Sequence, residues 1–445
     1  MIRYLMFVMI LTMAGHGQAI AQERVLGLMD VYSLAKERDA LHAASRAARD
    51  AGVEKEEQGM AALLPQLKLD GGLSYTDQNL NYKGTDLLRG GHSSYQGASY
   101  SLTLVQPIFR MQNMAIYRQG RATARMAEEA MAIADQDIIQ RAAAAYLNIL
   151  LAENTVELIG AQKEAISEHL ARAKKSFEVG AASITDTHEA QARFDMVASR
   201  EVMVRQGLQM AQEEMAKIIG EVSFELVPLN KEFDTPAISG DIEKWTEDAF
   251  KNSPYLAIKQ KALEVASQEV ARMRGERLPA ADLVANYNYL NQGGSSFGVG
   301  MENTTQSVNL RVSVPLYAGG ALSSREREAR ANEMKARYEL EEAQRQVRLW
   351  VRGAYLQVGS ASAEVNALKQ ALVSSQSALA STQQGFEVGL RSAVDVLDSQ
   401  QQSFDARQAL ASAKYAYLMS LLRLEAAAGV LGEEGLQKVA GYLTQ

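Results

Sequence analysis

Two stretches of this chain, 108–227 and 316–445, contain no proline, and over much of their length they are copies at a fixed offset of 209 residues. Ala145-Tyr146-Leu147 recurs as Ala354-Tyr355-Leu356, Phe177-Glu178-Val179-Gly180 as Phe386-Glu387-Val388-Gly389, Asp186 as Asp395 and Gly220 as Gly429. With small gaps the repeat reaches back further, pairing Leu64-Pro65 with Leu278-Pro279 and Pro107-Ile108-Phe109 with Pro315-Leu316-Tyr317. A duplication this long fixes the plan before any motif is read: one half folds, and the other half folds the same way. Two long copies are unlike the many short units of a solenoid.

Both stretches are rich in Ala, Gln, Glu, Arg and Leu, residues that favour helix, and lack the proline that would break one. Their apolar residues follow a three-four spacing. In the first copy the seam is Ile149, Ala152, Val156, Ile159, Lys163, Ile166, Leu170, Ala173 and Phe177, with one polar position; adding 209 gives Val358, Ala361, Val365, Leu368, Leu372, Ser375, Leu379, Thr382 and Phe386 in the same register. The return segment repeats it with Ala190, Phe194, Val197, Glu201, Val204, Leu208, Ala211, Met215 and Ile218. A sustained period of this kind predicts helices lying side by side along their length. A helix from about Asn113 to Glu178 would be roughly 100 Å long, far beyond a globular domain.

Four segments carry a period of two instead. Leu67, Leu69, Leu73 and Tyr75 alternate with polar residues, as do Tyr100, Leu102 and Leu104; Leu283, Ala285, Tyr287 and Tyr289; and Val308, Leu310, Val312 and Val314. Each is about as long as a tilted membrane strand and apolar on one face only. Gly/Ser/Asn-rich loops are expected between them, at 76–98 and 291–306. Four strands cannot close a barrel, and an open edge in lipid is not viable, so several copies of the chain are expected to share one.

The chain opens with a basic residue, an apolar run from Leu5 to Ala14 and Ala19-Ile20-Ala21, the pattern of a cleaved secretory signal at 1–21. There are no cysteines, which leaves no disulfide, thiolate metal site or lipid-anchored N-terminus. A net charge of −7 argues against a nucleic-acid partner.

On these residues the chain resembles the TolC family of outer-membrane channels over essentially its whole mature length. The most specific stretches are Phe177 to Asp186, its partner Gly385 to Asp398, Leu63-Leu64-Pro65-Gln66-Leu67 and Val314-Pro315-Leu316-Tyr317. The resemblance implies a mainly α fold with a membrane β-barrel portion, built on a duplicated helix-strand-strand-helix-helix plan. It implies a homotrimer with a twelve-stranded barrel, four strands per chain, continued as a long α-helical periplasmic cylinder. The first repeat is then 22–220, with strands about 66–76 and 98–107 and helices about 111–178 and 185–220. A connector follows at 221–244. The second repeat is 245–430, with strands about 281–290 and 307–316 and helices about 321–387 and 393–429, ahead of a C-terminal segment at 431–445. The location implied is the outer membrane of a Gram-negative bacterium. The function implied is a passive exit duct for type I protein secretion or multidrug efflux, with outer-membrane lipid, a periplasmic adaptor and an inner-membrane ABC or proton-driven pump as partners. No cofactor and no catalysis are expected.

Val179-Gly180 and Val388-Gly389 read as helix stops, with glycine supplying the left-handed turn conformation. The resemblance adds that these tips, with Leu390, touch the adaptor. Asp395 and Asp398 open a return helix one turn apart, where the macrodipole alone would favour them. Three-fold symmetry would turn each into a ring of three carboxylates, and such rings select cations. The resemblance further implies a latch closing this constriction, involving Thr185, Asp186 and Arg391. Phe386 stands where the family's best-known pattern has a hydroxyl-bearing tyrosine, so the latch is expected to rest more heavily on Arg391.

His42, His92, His169 and His188 share no metal-ligand spacing, and His188 beside Asp186 and Glu189 has no nucleophile to activate. The glycine-rich 293–300 lacks the Lys-Ser/Thr of a phosphate loop. A periplasmic coiled-coil adaptor or scaffold is the competing reading, and it would have no use for four amphipathic strands.

Overall fold

The computed structural model describes residues 24–81, 91–180, 183–220, 224–229, 235, 240–295 and 299–443, so the expected leader at 1–21 lies outside the described residues. The chain order begins with β1 (Arg24–Leu26), α1 (Leu28–Arg38), α2 (Ala40–Ala61), β2 (Gln66–Leu80), β3 (Gly91–Phe109), α3 (Met111–Glu178), α4 (Ile184–Ile219) and β4 (Phe224–Leu226). It continues with α5 (Ile242–Asn252), α6 (Pro254–Gly275), β5 (Ala280–Gln292), β6 (Met301–Ser313), α7 (Ala321–Glu387), α8 (Ala393–Ala427) and α9 (Glu433–Ala440). Helix, two strands and two helices thus occur twice, as α2-β2-β3-α3-α4 and α6-β5-β6-α7-α8. No helix among the described residues is long and apolar enough to cross a membrane.

The four long strands form one antiparallel sheet in the order β2-β3-β5-β6. Its register joins the four alternating patterns into a single apolar face. Leu69 lies opposite Leu102, which lies opposite Tyr287, and Leu283 lies opposite Leu310. The other face is mainly polar: Lys68 opposes Thr103, Thr103 opposes Asn286 and Asn286 opposes Ser307. On the apolar face Tyr100 stacks on Tyr287 and Tyr289, at centroid distances of 6.0 and 4.9 Å. Leu73 on β2 is 90% exposed and Leu310 on β6 is 66% exposed, so both outer strands carry bare apolar side chains beside unpaired backbone.

The hairpins run further than side-chain alternation indicates. The β2–β3 ladder continues to Leu80 opposite Gly91, and β6 spans Met301–Ser313 rather than 307–316. The extensions are rich in Ser, Asn, Gln and Thr, which pair through backbone as well as any apolar residue. At the other end Pro315 has no N–H for the ladder, and β6 stops short of it.

Two helices, α3 of 68 residues and α7 of 67, run the length of the helical body. In the half near the sheet they are flanked by α2 and α6, in the lateral order α2-α3-α6-α7. In the far half they are flanked by their return helices, in the order α4-α3-α8-α7. Close approach sets the first pairing, since a Cβ added at Gly120 would lie 2.2 Å from the Lys55 carbonyl oxygen.

The main core lies midway along the molecule. There α1, α9 and the parallel pair β1–β4 wrap the middle of α3 and the ends of α4 and α8 around Tyr146, Met215, Tyr417 and Leu422. The Tyr146 hydroxyl donates to the Val227 carbonyl at 2.7 Å. Toward the tips the seam thins. In the second copy Val358 and Val365 are buried, whereas Leu372 and Leu379 are only partly buried and Phe386 is exposed, although the first copy keeps Ile149, Ile159, Ile166 and Leu170 buried.

Candidate functional site: the helical tips

Both long helices end in the same device. Gly180 and Gly389 take φ of +74° and +76°, and their N–H groups donate to the carbonyls of Phe177 and Phe386 at 2.9 and 3.0 Å. A left-handed residue ends the helix while keeping a terminal carbonyl satisfied. The return helices then start on matching capping boxes. Ser183 N–H donates to Asp186 Oδ2 at 3.2 Å, and Ser392 N–H donates to Asp395 Oδ2 at 2.9 Å. The apolar residues at the turns protrude: Val179, Val388 and Leu390 are all exposed.

Asp395 is therefore anchored. It also accepts from the Ser392 hydroxyl at 2.9 Å. Hydrogen bonds from the Ser392 N–H and hydroxyl, with Arg391 close by, hold its carboxyl below the usual carboxylate range. Asp398, one turn on, reaches a different partner. Arg193 Nη2 on α4 donates to its Oδ1 at 2.6 Å, joining the second hairpin to the first.

Of the four expected latch residues, Asp186 and Phe386 line one cleft of about 520 Å³, with His169, Arg172, Ser392 and Leu397. Burial and the neighbouring Arg172 push the His169 imidazole below its ordinary value. Thr185 is occupied locally, its N–H donating to Ser183 Oγ at 3.2 Å. Arg391 folds back over Gly385, where an added Cβ would lie 2.8 Å from its Cγ, and it makes no ion pair with Asp186 among the described residues. Within one chain, polar connection between the hairpins runs instead through Arg193–Asp398, through Gln162, which donates to Gln401, and through Arg200, which donates to Gln408. Below these lies a small apolar cluster of Ile159, Ile166, Val197 and Leu397.

Arg193 escaped the sequence reading, and so did a stripe on α4. Met196, Met203 and Met210 recur every seven residues with exposures of 72, 69 and 56%. They lie on an outer helix of the far half, as Leu356 and Val373, also exposed, do on α7. The heptad spacing was present in the sequence, but the inward-facing seam on the same helix carried the stronger signal.

Comparison with known proteins agrees with this architecture. The family model described as "Outer membrane efflux protein" matches residues 31–221 and 245–430. "Outer membrane protein TolC" of Vibrio cholerae is 31% identical over 415 residues, covering 93% of this chain and 92% of that protein. "Alkaline protease secretion protein AprF" of Pseudomonas aeruginosa is 32% identical over 421 residues, covering 93% and 87%. Among solved structures, the Campylobacter jejuni CmeC outer membrane channel superposes with a TM-score of 0.77 at 17% identity, over 94% of this chain and 90% of that one.

Proposed function

Because the chain belongs to the outer membrane efflux protein family, we propose that three copies close into one outer-membrane duct, a passive exit path for a tripartite export system. One observation carries this reading: the molecule is an open strip along its entire length. Its sheet ends at β2 and β6, and its helical body ends at α2 or α4 on one side and α7 on the other. A sheet with one apolar face belongs in lipid, where backbone edges must be paired, and about eight strands is the smallest closed number. Three chains supply twelve. The exposed methionines of α4 then pack against α7 of the next copy, and the polar sheet face lines the lumen. The adaptor reading has nothing in its favour, since such a protein has no use for this sheet.

The protruding Val179, Val388 and Leu390, with the turn glycines Gly180 and Gly389, suit contact with the helical hairpin of a periplasmic adaptor that recruits an inner-membrane pump. Asp395 and Asp398 lie at the start of α8, where three chains converge to form the periplasmic constriction. Thr185, Asp186 and Arg391 are available there for links between neighbouring chains, consistent with the absence of an Asp186–Arg391 pair within one.

The test is the mass of the detergent-solubilised particle together with its conductance in planar bilayers. A trimer that conducts ions is expected. A monomer without conductance would falsify the proposal.

A further inference from the structure

Three pairs share a constant separation of 205 residues: Asp186 on α4 with Arg391 just ahead of α8, and, between the two helices, Arg193 with Asp398 and Arg200 with Asp405. Each step is seven residues, so the two rungs within the helices lie on one face of each, and all three pairs join opposite charges. The signs reverse between the first rung and the other two. The structure makes the second rung, with Arg193 Nη2 at 2.6 Å from Asp398 Oδ1 and 3.7 Å from Glu189 Oε1. It brings the third together more loosely, with Arg200 Nη1 at 3.9 Å from Asp405 Oδ1 and Nη2 donating to Gln408 at 3.0 Å. Asp405 is held on the α8 side by Gln401 Nε2 at 2.9 Å.

From this we infer that the α4–α8 charge ladder holds the second hairpin against the first, and that Arg193–Asp398 is its principal rung and a closing latch of the channel. The inference rests on the duct reading. Phe386 has no hydroxyl to offer Asp186, and Arg391 is turned onto Gly385, so the tip rung is unmade within the chain. The next rung is made, and its two helices also meet in the apolar cluster that holds Val197, one turn beyond Arg193, and Leu397, the neighbour of Asp398. The Arg193 side chain is 30% exposed and that of Asp398 53%, so the pair is breakable, as a gate requires. Arg193 is a positioning residue: it sets where α8 lies, and through α8 where Asp395 lies.

The ladder also alters the charge of the constriction. An Asp398 carboxylate bonded to Arg193 is neutralised, which leaves Asp395 as the principal charge there while the latch is closed.

The experiment is a double-mutant cycle in the full-length protein, read by resting conductance in planar bilayers and by amide exchange over 393–405. Arg193→Gln and Asp398→Asn should each raise resting conductance about two- to five-fold, the range for losing one partly exposed pair. The double variant should do no more than either single, and Arg193→Lys should stay near wild type. Each opening variant should also speed exchange at the start of α8. The inference is overturned if Arg193→Gln conducts and exchanges like the wild type, if the two effects multiply, or if Arg193→Lys opens as far as Arg193→Gln. A wild type that never conducts overturns the duct reading instead. Exchange over 393–405 then still reports whether the rung holds.

Discussion

Arg110 Nε donates to Asp282 Oδ1 at 2.7 Å, tying the residue that begins α3 to the second repeat's first strand across 172 positions of sequence. Here the β3 strand hands over to the long helix, and Asp282 is nearly buried, with 6% of its side chain exposed. Removing one member of such a pair leaves an uncompensated charge. Because Arg110 is partly exposed, the expected cost of Asp282→Asn is about 1–3 kcal/mol rather than the full cost of a dry pair. The temperature at which the proposed trimer dissociates in detergent should fall for Asp282→Asn and for Arg110→Gln. The double variant should be no worse than the singles, and additive losses would show that the two residues act separately.

A second pair sets an acid limit. Arg141 clasps Asp39 through both terminal nitrogens, at 2.8 and 2.9 Å, and Asp39 caps α2 by accepting from the His42 N–H at 2.7 Å. The Arg141 guanidinium holds the Asp39 carboxyl below its ordinary value of 3.8. A depressed native value means the folded state favours the charged form. Its contribution is therefore complete above the ordinary value and is lost as pH falls through the lower native one. Asp39→Asn should destabilise the protein at neutral pH and flatten its loss of stability below about pH 4. Equal slopes for variant and wild type in that window would exclude Asp39 as the group responsible.

The sheet register gives a sidedness that labelling can check. Cysteines at Leu69, Leu102 and Leu310 share the apolar face and should resist water-soluble thiol reagents in the assembled membrane protein. Cysteines at Lys68, Ser101 and Arg311 share the polar face and should react from the lumen. Equal labelling of both sets contradicts the assignment of lipid and lumen faces.

Block by multivalent cations from the periplasmic side should depend mainly on Asp395. Like charges brought close on one axis repel, and a trivalent ion relieves the repulsion. Asp395→Ala with Asp398→Ala should abolish block while leaving the oligomer assembled, and Asp395→Ala alone should remove most of it. If the double variant retains wild-type block, both residues are ordinary helix-start charges. Asp395→Ala also removes one half of a capping box, at about 0.5–2 kcal/mol in α8, so assembly must be checked alongside.

Much of this was legible because period is a property of neighbours in sequence. Alternation at Leu67, Leu102, Leu283 and Leu310 revealed each strand and its apolar side, and a two-residue period leaves no freedom in which side chains share a face. The repeat at 209 residues fixed the order of elements. Strand ends were less visible, because Ser, Asn and Gln in 76–80 and 91–97 signal loops by composition while their backbones pair as strands do. The Arg193–Asp398 pair was invisible to any local window, since its partners lie on different hairpins. It could have been found only by setting α4 against α8 and noticing that signs oppose at every seventh residue. Asp398 was read from sequence by its distance from Asp395, whereas its bond is to a helix in the other repeat.

The strand order β2-β3-β5-β6 puts the second strand of one repeat beside the first strand of the next, antiparallel. Closing the proposed ring would set β6 of one chain against β2 of its neighbour, again second against first and again antiparallel. Each chain thus carries inside itself a rehearsal of the contact it makes with its neighbour. Of six similar joints around the ring, three form as the chains fold, at the high effective concentration of a tethered partner. Only three await an encounter between molecules. Gene duplication in such a protein halves the number of bodies that must meet.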